Sequence, residues 1–329
     1  MAKPRSRKSK GVSNSQISGW KNNILVKNWS TLATFLIIYF FILQSFGVKP
    51  FEKSLLEIPF LNSLLGNYML TKTTTTGGDL GSHWVLAQYL RDYLVPTGRL
   101  VGWYPHWMGG LPLFQYYFVP PYFLMVLLSP LLTLEVAFKL VSAAWIFFTP
   151  IAFYYAAKGL GFEKPGPEIA AALSLALTWL ETVTGGNYAQ WGGNVKSAMA
   201  GQFPYGISLA FAVMCIGLLW EGYHSKKHIV LNAILFSMVV LHHLYTIIAI
   251  GLVSTFFLIH ALRTRKFDGA FYLAKVFILG FMIAGFWLIP SYAKLDWSMP
   301  PRDVFYGFPS MDWIFIQEYS IFYLMIILG

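Results

Sequence analysis

HIVLNAILFSMVVLHHLYTIIAIGLVSTFFLIHAL, residues 228–262, runs its whole length without an Asp, Glu, Lys or Arg. A bilayer hydrocarbon core of about 30 Å takes roughly 20 apolar residues in helical form, so this stretch is long enough for two short crossings joined by a tight turn. Backbone groups in lipid need internal partners, which leaves helices or closed barrel strands. A run this long without alternation is helical. Outward from it, the uncharged pattern recurs at 28–48, 140–157, 197–220 and 276–293. The whole chain is 56% hydrophobic and 12% charged, far more apolar than a water-soluble domain. The reading is an all-α, polytopic transmembrane helix bundle. The single cysteine, Cys215, lies inside an apolar run, so no disulfide framework exists.

Charge orients the bundle. Residues 1–28 form a basic tail with Lys3, Arg5, Arg7, Lys8, Lys10, Lys21 and Lys27 and no acid. Further basic loops surround Lys158 and Lys164, Lys226 and Lys227, and Arg263, Arg265 and Lys266. The positive-inside rule puts all four in the cytoplasm. The net charge of +10 is thereby a membrane signal, and no nucleic acid partner is expected. The protein reads as integral and multi-pass in the plasma membrane, N-terminus cytoplasmic, with membrane lipid as a partner. Residues 29–329 are the transmembrane domain, with outer loops at 49–135, 185–203 and 291–312. This topology requires 113–133, which contains Pro120, Pro121 and Pro130, to lie in the outer interface or re-enter instead of crossing. The last residues, up to Gly329, are still inside an apolar run, which predicts a truncated chain or the N-terminal part of a larger protein.

With that orientation the unusual polar clusters face outward. The long first outer loop carries interfacial helices, one of them over 80–95, where Leu80, Trp84, Leu86, Ala87, Leu90 and Leu94 make an apolar stripe. Asp79 stands just before that helix, either as an N-cap or as a general base made accessible by Gly77 and Gly78. His83 is four residues on and shares its side, so a proton relay or a pair binding a divalent metal ion is open. Trp84, Trp103, Tyr104 and Trp107 form an aromatic belt at the interface or, with Arg99 and His106, a platform for sugar or lipid phosphate. Lys139 is a snorkelling cation or a phosphate ligand. His242 and His243 interrupt the longest uncharged run, where ionisable groups are costly, and are read as substrate-binding or as an interface turn. Asn194 offers an amide for sugar recognition, Lys196 a cation, and Gln202 opens a helix whose N-terminus would favour a phosphate. The loop 185–194 is expected to lie against the first outer loop near Asp79. No Walker P-loop, dinucleotide glycine fingerprint, His-Glu-x-x-His or paired-Cys metal spacing occurs, which argues against nucleotide hydrolysis.

Several motifs taken together carry a resemblance: Gly78-Asp79-x-x-Ser82-His83, Gly98-Arg99-Leu100-x-Gly102-Trp103, Leu113-Phe114-Gln115-x-Tyr117-Phe118, Gly192-Gly193-Asn194-Val195, Gly201-Gln202-Phe203-Pro204 and Leu241-His242-His243-Leu244. Over about 75–290 the chain resembles the membrane family labelled 6-pyruvoyl-tetrahydropterin synthase-related domain. The resemblance implies no pterin chemistry, because the His-rich zinc site of the soluble synthase is missing. That family in turn is similar to C-type (GT-C) glycosyltransferases, which take sugar from a polyprenyl-phosphate carrier and place a catalytic carboxylate in the first outer loop. Asp79 matches that position, although Leu80 follows it in place of a second acid. The resemblance implies a GT-C-like bundle and a transferase working on a polyprenyl-phosphate sugar donor at the outer face. The alternatives are a lipid or polysaccharide transporter or flippase, and a non-catalytic scaffold for envelope assembly.

Overall fold

The computed structural model describes residues 24–45, 69, 72–75, 77–107, 109–184, 192–265 and 267–297. The expectations for most of the basic tail, for 46–68 of the first outer loop, for 185–191 and for everything from 298 onward lie outside these residues. Among them, helices dominate, as the uncharged runs require. They are α1 (Ile24–Ser45), α2 (Leu80–Tyr89), α3 (Pro120–Leu132), α4 (Leu134–Gly159), α5 (Gly166–Thr184), α6 (Phe203–Ser225), α7 (Ile229–His242), α8 (Thr246–Thr264) and α9 (Phe267–Tyr292).

Among the described residues, five segments are long and apolar enough to cross a bilayer: Asn28–Ser45, Leu134–Gly159, Val195–Ser225, Thr246–Thr264 and Phe267–Tyr292. The first of the two short crossings expected within 228–262 is shorter than that. Its helix, α7, has 14 residues and α3 has 13. At a rise of 1.5 Å per residue each is only about 20 Å long, less than a hydrocarbon core. Pro120 and Pro121 start α3, where a missing N–H costs nothing.

The axis of the bundle is the α4–α6 pair, which share the most extensive helix contact. Small residues set it. A Cβ on Gly217 would stand 2.4 Å from the Ala156 backbone, and one on Gly159 2.4 Å from the Gly217 carbonyl, so the two backbones touch directly. Nearer the other end, Gly206 accommodates the Trp145 indole, 2.6 Å from an imagined Cβ. By contrast α1 shows most of its surface, with Leu36, Ile37 and Phe40 exposed as suits a lipid-facing helix. Its polar links include the Thr31 hydroxyl, which donates to Glu168 on α5 at 2.5 Å, and the Tyr39 hydroxyl, which donates to the Phe147 carbonyl on α4 at 3.0 Å.

Between α2 and α3 the chain makes a wide turn at Leu90–Leu94 and a short 3-10 turn, closed by Gly98 with φ 70°. A small antiparallel hairpin follows, β1 (Gly102–Tyr104) against β2 (Leu111–Leu113), with Trp103 opposite Pro112. Three-residue strands leave too little alternation to be read in sequence. The chain divides into two compact units, one ending at Ala284 and one starting at Gly285. In the second, the Ser291 hydroxyl donates to the Trp287 carbonyl and a 3-10 turn spans Leu295–Trp297.

Candidate functional site around Asp79

Gly77 and Gly78, at φ 129° and 49°, turn the chain into α2 through backbone shapes that side chains disfavour. The turn lies flat on a second segment. The Asp79 N–H donates to the Ala200 carbonyl at 2.8 Å, and a Cβ on Gly78 would stand 2.4 Å from that same oxygen. Opposite, Gly201 is kinked at φ 111°, and its own Cβ would meet Asp79 Cβ at 2.8 Å and the His83 ring at 3.0 Å. Glycines on both sides thus let two backbones meet.

Asp79 occupies the N-cap position, yet its carboxylate makes no capping hydrogen bond and the residue is exposed. The carboxylate is therefore not consumed by the helix end. His83, by contrast, is 6% exposed. Its Nδ1 is hydrogen-bonded to the Tyr122 hydroxyl, and its ring also bonds to the Gly201 backbone. Tyr117 stacks on the imidazole at 5.8 Å and Phe203 meets it edge-on at 5.2 Å. Burial lowers the imidazole pKa to about 4, against the opposing pull of the Asp79 charge and the Gly201 bond. Tyr117, bonded to Tyr122, is pushed up to about 12 by the same burial.

Other predicted residues join this group. Lys139, in the second turn of α4, is buried and donates from Nζ to Thr73 Oγ1 at 3.4 Å, just ahead of the glycine turn. Its neighbour Phe138 packs against both Trp84 and Phe203. Asn194 is buried and caps the short helical turn Val195–Ser197, its Oδ1 accepting from the Ser197 N–H at 2.8 Å. Lys196 lies on that turn, half-buried, and Gln202 ends the wide turn Ala198–Gln202 that leads into α6. Five residues lie between Asn194 and Ala200, a span of at most about 20 Å of chain. Asn194 and the Asp79 turn therefore share one end of the bundle. Of the glycine-rich loop at 185–194, only 192–194 lie within the described residues.

The two adjacent histidines part company. His242, still in α7, is sealed, its Nδ1 hydrogen-bonded to the Met238 carbonyl at 2.7 Å and its ring against Phe211. His243 leaves the helix in extended conformation and stands among Phe118 at 5.0 Å, Tyr205 at 5.1 Å and Tyr245 at 5.3 Å. Since Phe118 follows Tyr117, one dipeptide touches both His83 and His243.

Arg99, Trp103 and His106 belong to a different place, the hairpin lobe. The Arg99 N–H donates to Leu94, the exposed Trp103 indole lies over Gly110, and His106 packs on Tyr104. Reading the sequence as a set of separate motifs joined these three to Asp79, while Tyr122 was not singled out and Phe203 stood only within the motif Gly201-Gln202-Phe203-Pro204. Tyr122 sits in an apolar run, where a phenol is easily taken for an interface anchor; its place two residues after Pro120, on the first turn of α3, was the available signal. Among the described residues no group of three or more His, Cys, Asp or Glu is gathered to hold a metal.

No curated protein and no solved structure matches the chain. The 6-pyruvoyl-tetrahydropterin synthase related domain, described as a membrane protein, matches residues 114–325. That match takes in Tyr117, Tyr122, Lys139, Asn194, Gly201, His242 and His243, and it begins after the Asp79 turn, which therefore rests on its geometry alone. Covering well over half of the sequence, it establishes that the chain belongs to this family of membrane proteins.

Proposed function

We propose that the protein is a membrane glycosyltransferase that moves a sugar from a polyprenyl-phosphate carrier to an acceptor at the outer face of the plasma membrane. The observation that carries this reading is the Asp79 carboxylate, exposed at the start of a helix and engaged in no cap. Asp79 takes the proton of an acceptor hydroxyl. The acceptor oxygen bonds to the anomeric carbon as the bond from that carbon to the phosphate oxygen breaks, and polyprenyl phosphate leaves. Cations at the same end, Lys139 and Lys196, stabilise the departing charge. Arg99, whose contacts lie in the hairpin lobe, is not needed for this step.

General-base assistance is worth about 10² to 10⁴ in rate, so Asp79→Asn should lower transfer by that factor. The assay is transfer from radiolabelled polyprenyl-phosphate sugar by the full chain in sealed vesicles. Full transfer by the variant overturns the role of Asp79. Movement of label across the bilayer without transfer would instead indicate a lipid or polysaccharide flippase, and neither transfer nor movement a scaffold for envelope assembly.

A further inference from the structure

We infer that His83 is a positioning residue, an imidazole latch seating the Asp79 turn on the 198–202 segment, and is neither a proton relay nor a metal ligand. This rests on the reading of Asp79 as the acting carboxylate. One ring nitrogen is held by a side-chain hydrogen bond, and the opposite edge of the ring lies against Gly201. Nδ1 is taken by the Tyr122 hydroxyl. The ring also bonds to the backbone of Gly201, where an added Cβ would stand 3.0 Å from Nε2 and Cδ2. That bond favours a protonated nitrogen, as a carbonyl acceptor does. The fit is an imidazole with one donor and one acceptor, each with its partner.

A relay needs a nitrogen that can take a proton from Asp79 or substrate and pass it on, and a backbone carbonyl accepts no proton. A metal needs a free nitrogen lone pair. Neither requirement is met by this buried ring, on which Tyr117 stacks and which Phe203 meets edge-on. The same bonds connect three pieces of chain: α2 through His83, α3 through Tyr122, and the entry to α6 through Gly201. Asp79, one helical turn before His83, inherits its place from that junction, and His83 N–H donates to the Asp79 carbonyl at 3.0 Å. Gly201 completes the latch, since any Cβ there would push apart Asp79 and the imidazole.

The test uses the full chain in vesicles with Cys215→Ala, Asp79→Cys and Ala200→Cys, and reads oxidative cross-linking. His83→Gln keeps a donor and an acceptor, whereas His83→Phe keeps the packing and loses both bonds. Cross-linking should persist with His83→Gln and fall roughly tenfold with His83→Phe, the effect of losing about two ordinary hydrogen bonds. With Asp79 intact, His83→Gln should retain transfer with an unchanged pH profile, and His83→Phe should lose it. Equal cross-linking in the His83→Phe and parent proteins overturns the latch, and so does an absent cross-link when His83 is present. Loss of transfer in His83→Gln with cross-linking preserved would make His83 a catalytic residue instead. Full transfer by Asp79→Asn would defeat the proposed function, while the cross-linking result would still decide for or against the latch.

Discussion

Both ends of α6 meet histidines packed among aromatic rings, and the two ends behave differently. At the Phe203 end, His83 is enclosed by Tyr117, Tyr122 and Phe203, and the backbone of Gly201 closes on it. At the Ser225 end, Trp220 stacks on Tyr223, His224 meets Trp220 at 4.4 Å, and the Tyr223 hydroxyl is hydrogen-bonded to His260 at 3.1 Å. Exposed Lys226, Lys227 and His228 follow directly, with Lys226 over the Tyr223 ring. The residue types are similar; their surroundings are not. One end joins two distant stretches of backbone and leaves a carboxylate exposed beside the joint, while the other ends in cations facing solvent. Histidine with aromatics does not mark a site by itself. What sets the Asp79 end apart is a glycine-permitted backbone approach together with an exposed carboxylate.

The comparison breaks first at Gly201. Gly201→Ala places a Cβ 2.8 Å from that of Asp79 and forces Ala to φ 111°, so we expect a loss of about 2–4 kcal/mol and transfer reduced at least as far as in Asp79→Asn. Gly251→Ala on α8, where a Cβ meets nothing within 4 Å, should leave the denaturation midpoint in detergent unchanged or slightly raised. Similar losses at both positions would remove the special standing of the Asp79 joint.

A smaller effect should come from acid. The His83 pKa is lowered to about 4 in the fold from an ordinary 6.5, so the unfolded chain binds the proton first and stability falls as pH drops through that window. At pH 5.5 the loss relative to neutral pH is about 1 kcal/mol. Around the ring, Asp79 on its own helix is the charged neighbour, α3 supplies Tyr122, the segment before it Tyr117, and 198–203 no ionisable side chain. The difference in midpoint between pH 7 and pH 5.5 should therefore shrink in His83→Gln, and an identical difference in both proteins would contradict a buried neutral latch. The smallest effect belongs to the other end. Ser225→Cys and Leu160→Cys should each change transfer by less than about twofold, as surface substitutions do, and resist an impermeant thiol reagent added outside. Labelling of both from outside would reverse the proposed orientation.

How far the sequence carried this picture depends on the length over which a pattern acts. Crossings such as Leu134–Gly159 and Phe267–Tyr292 are legible because some twenty apolar residues in a row suit a bilayer and little else. The end of α7 is not, because nothing in Leu241-His242-His243-Leu244 says that helix stops between the two histidines, and that stop sends them to different neighbours. Gly78, Asp79 and Gly201 were each noticeable as residues. That they touch depends on the path of roughly 120 intervening residues, which no local pattern encodes. The hairpin lobe is a second case: Arg99, Trp103 and His106 are near Asp79 in sequence, and the contacts they make include Leu94, Gly110 and Tyr104.

The seating of Gly159 and Ala156 on Gly217 also has a mechanical meaning. Helices in backbone contact have no side-chain layer to rearrange, so sliding one along the other opens a void or drives atoms together, and a close-packed interior resists both. The α4–α6 pair is in that sense a stator. Movement within the bundle falls instead to parts outside that contact, such as the bend between α7 and α8.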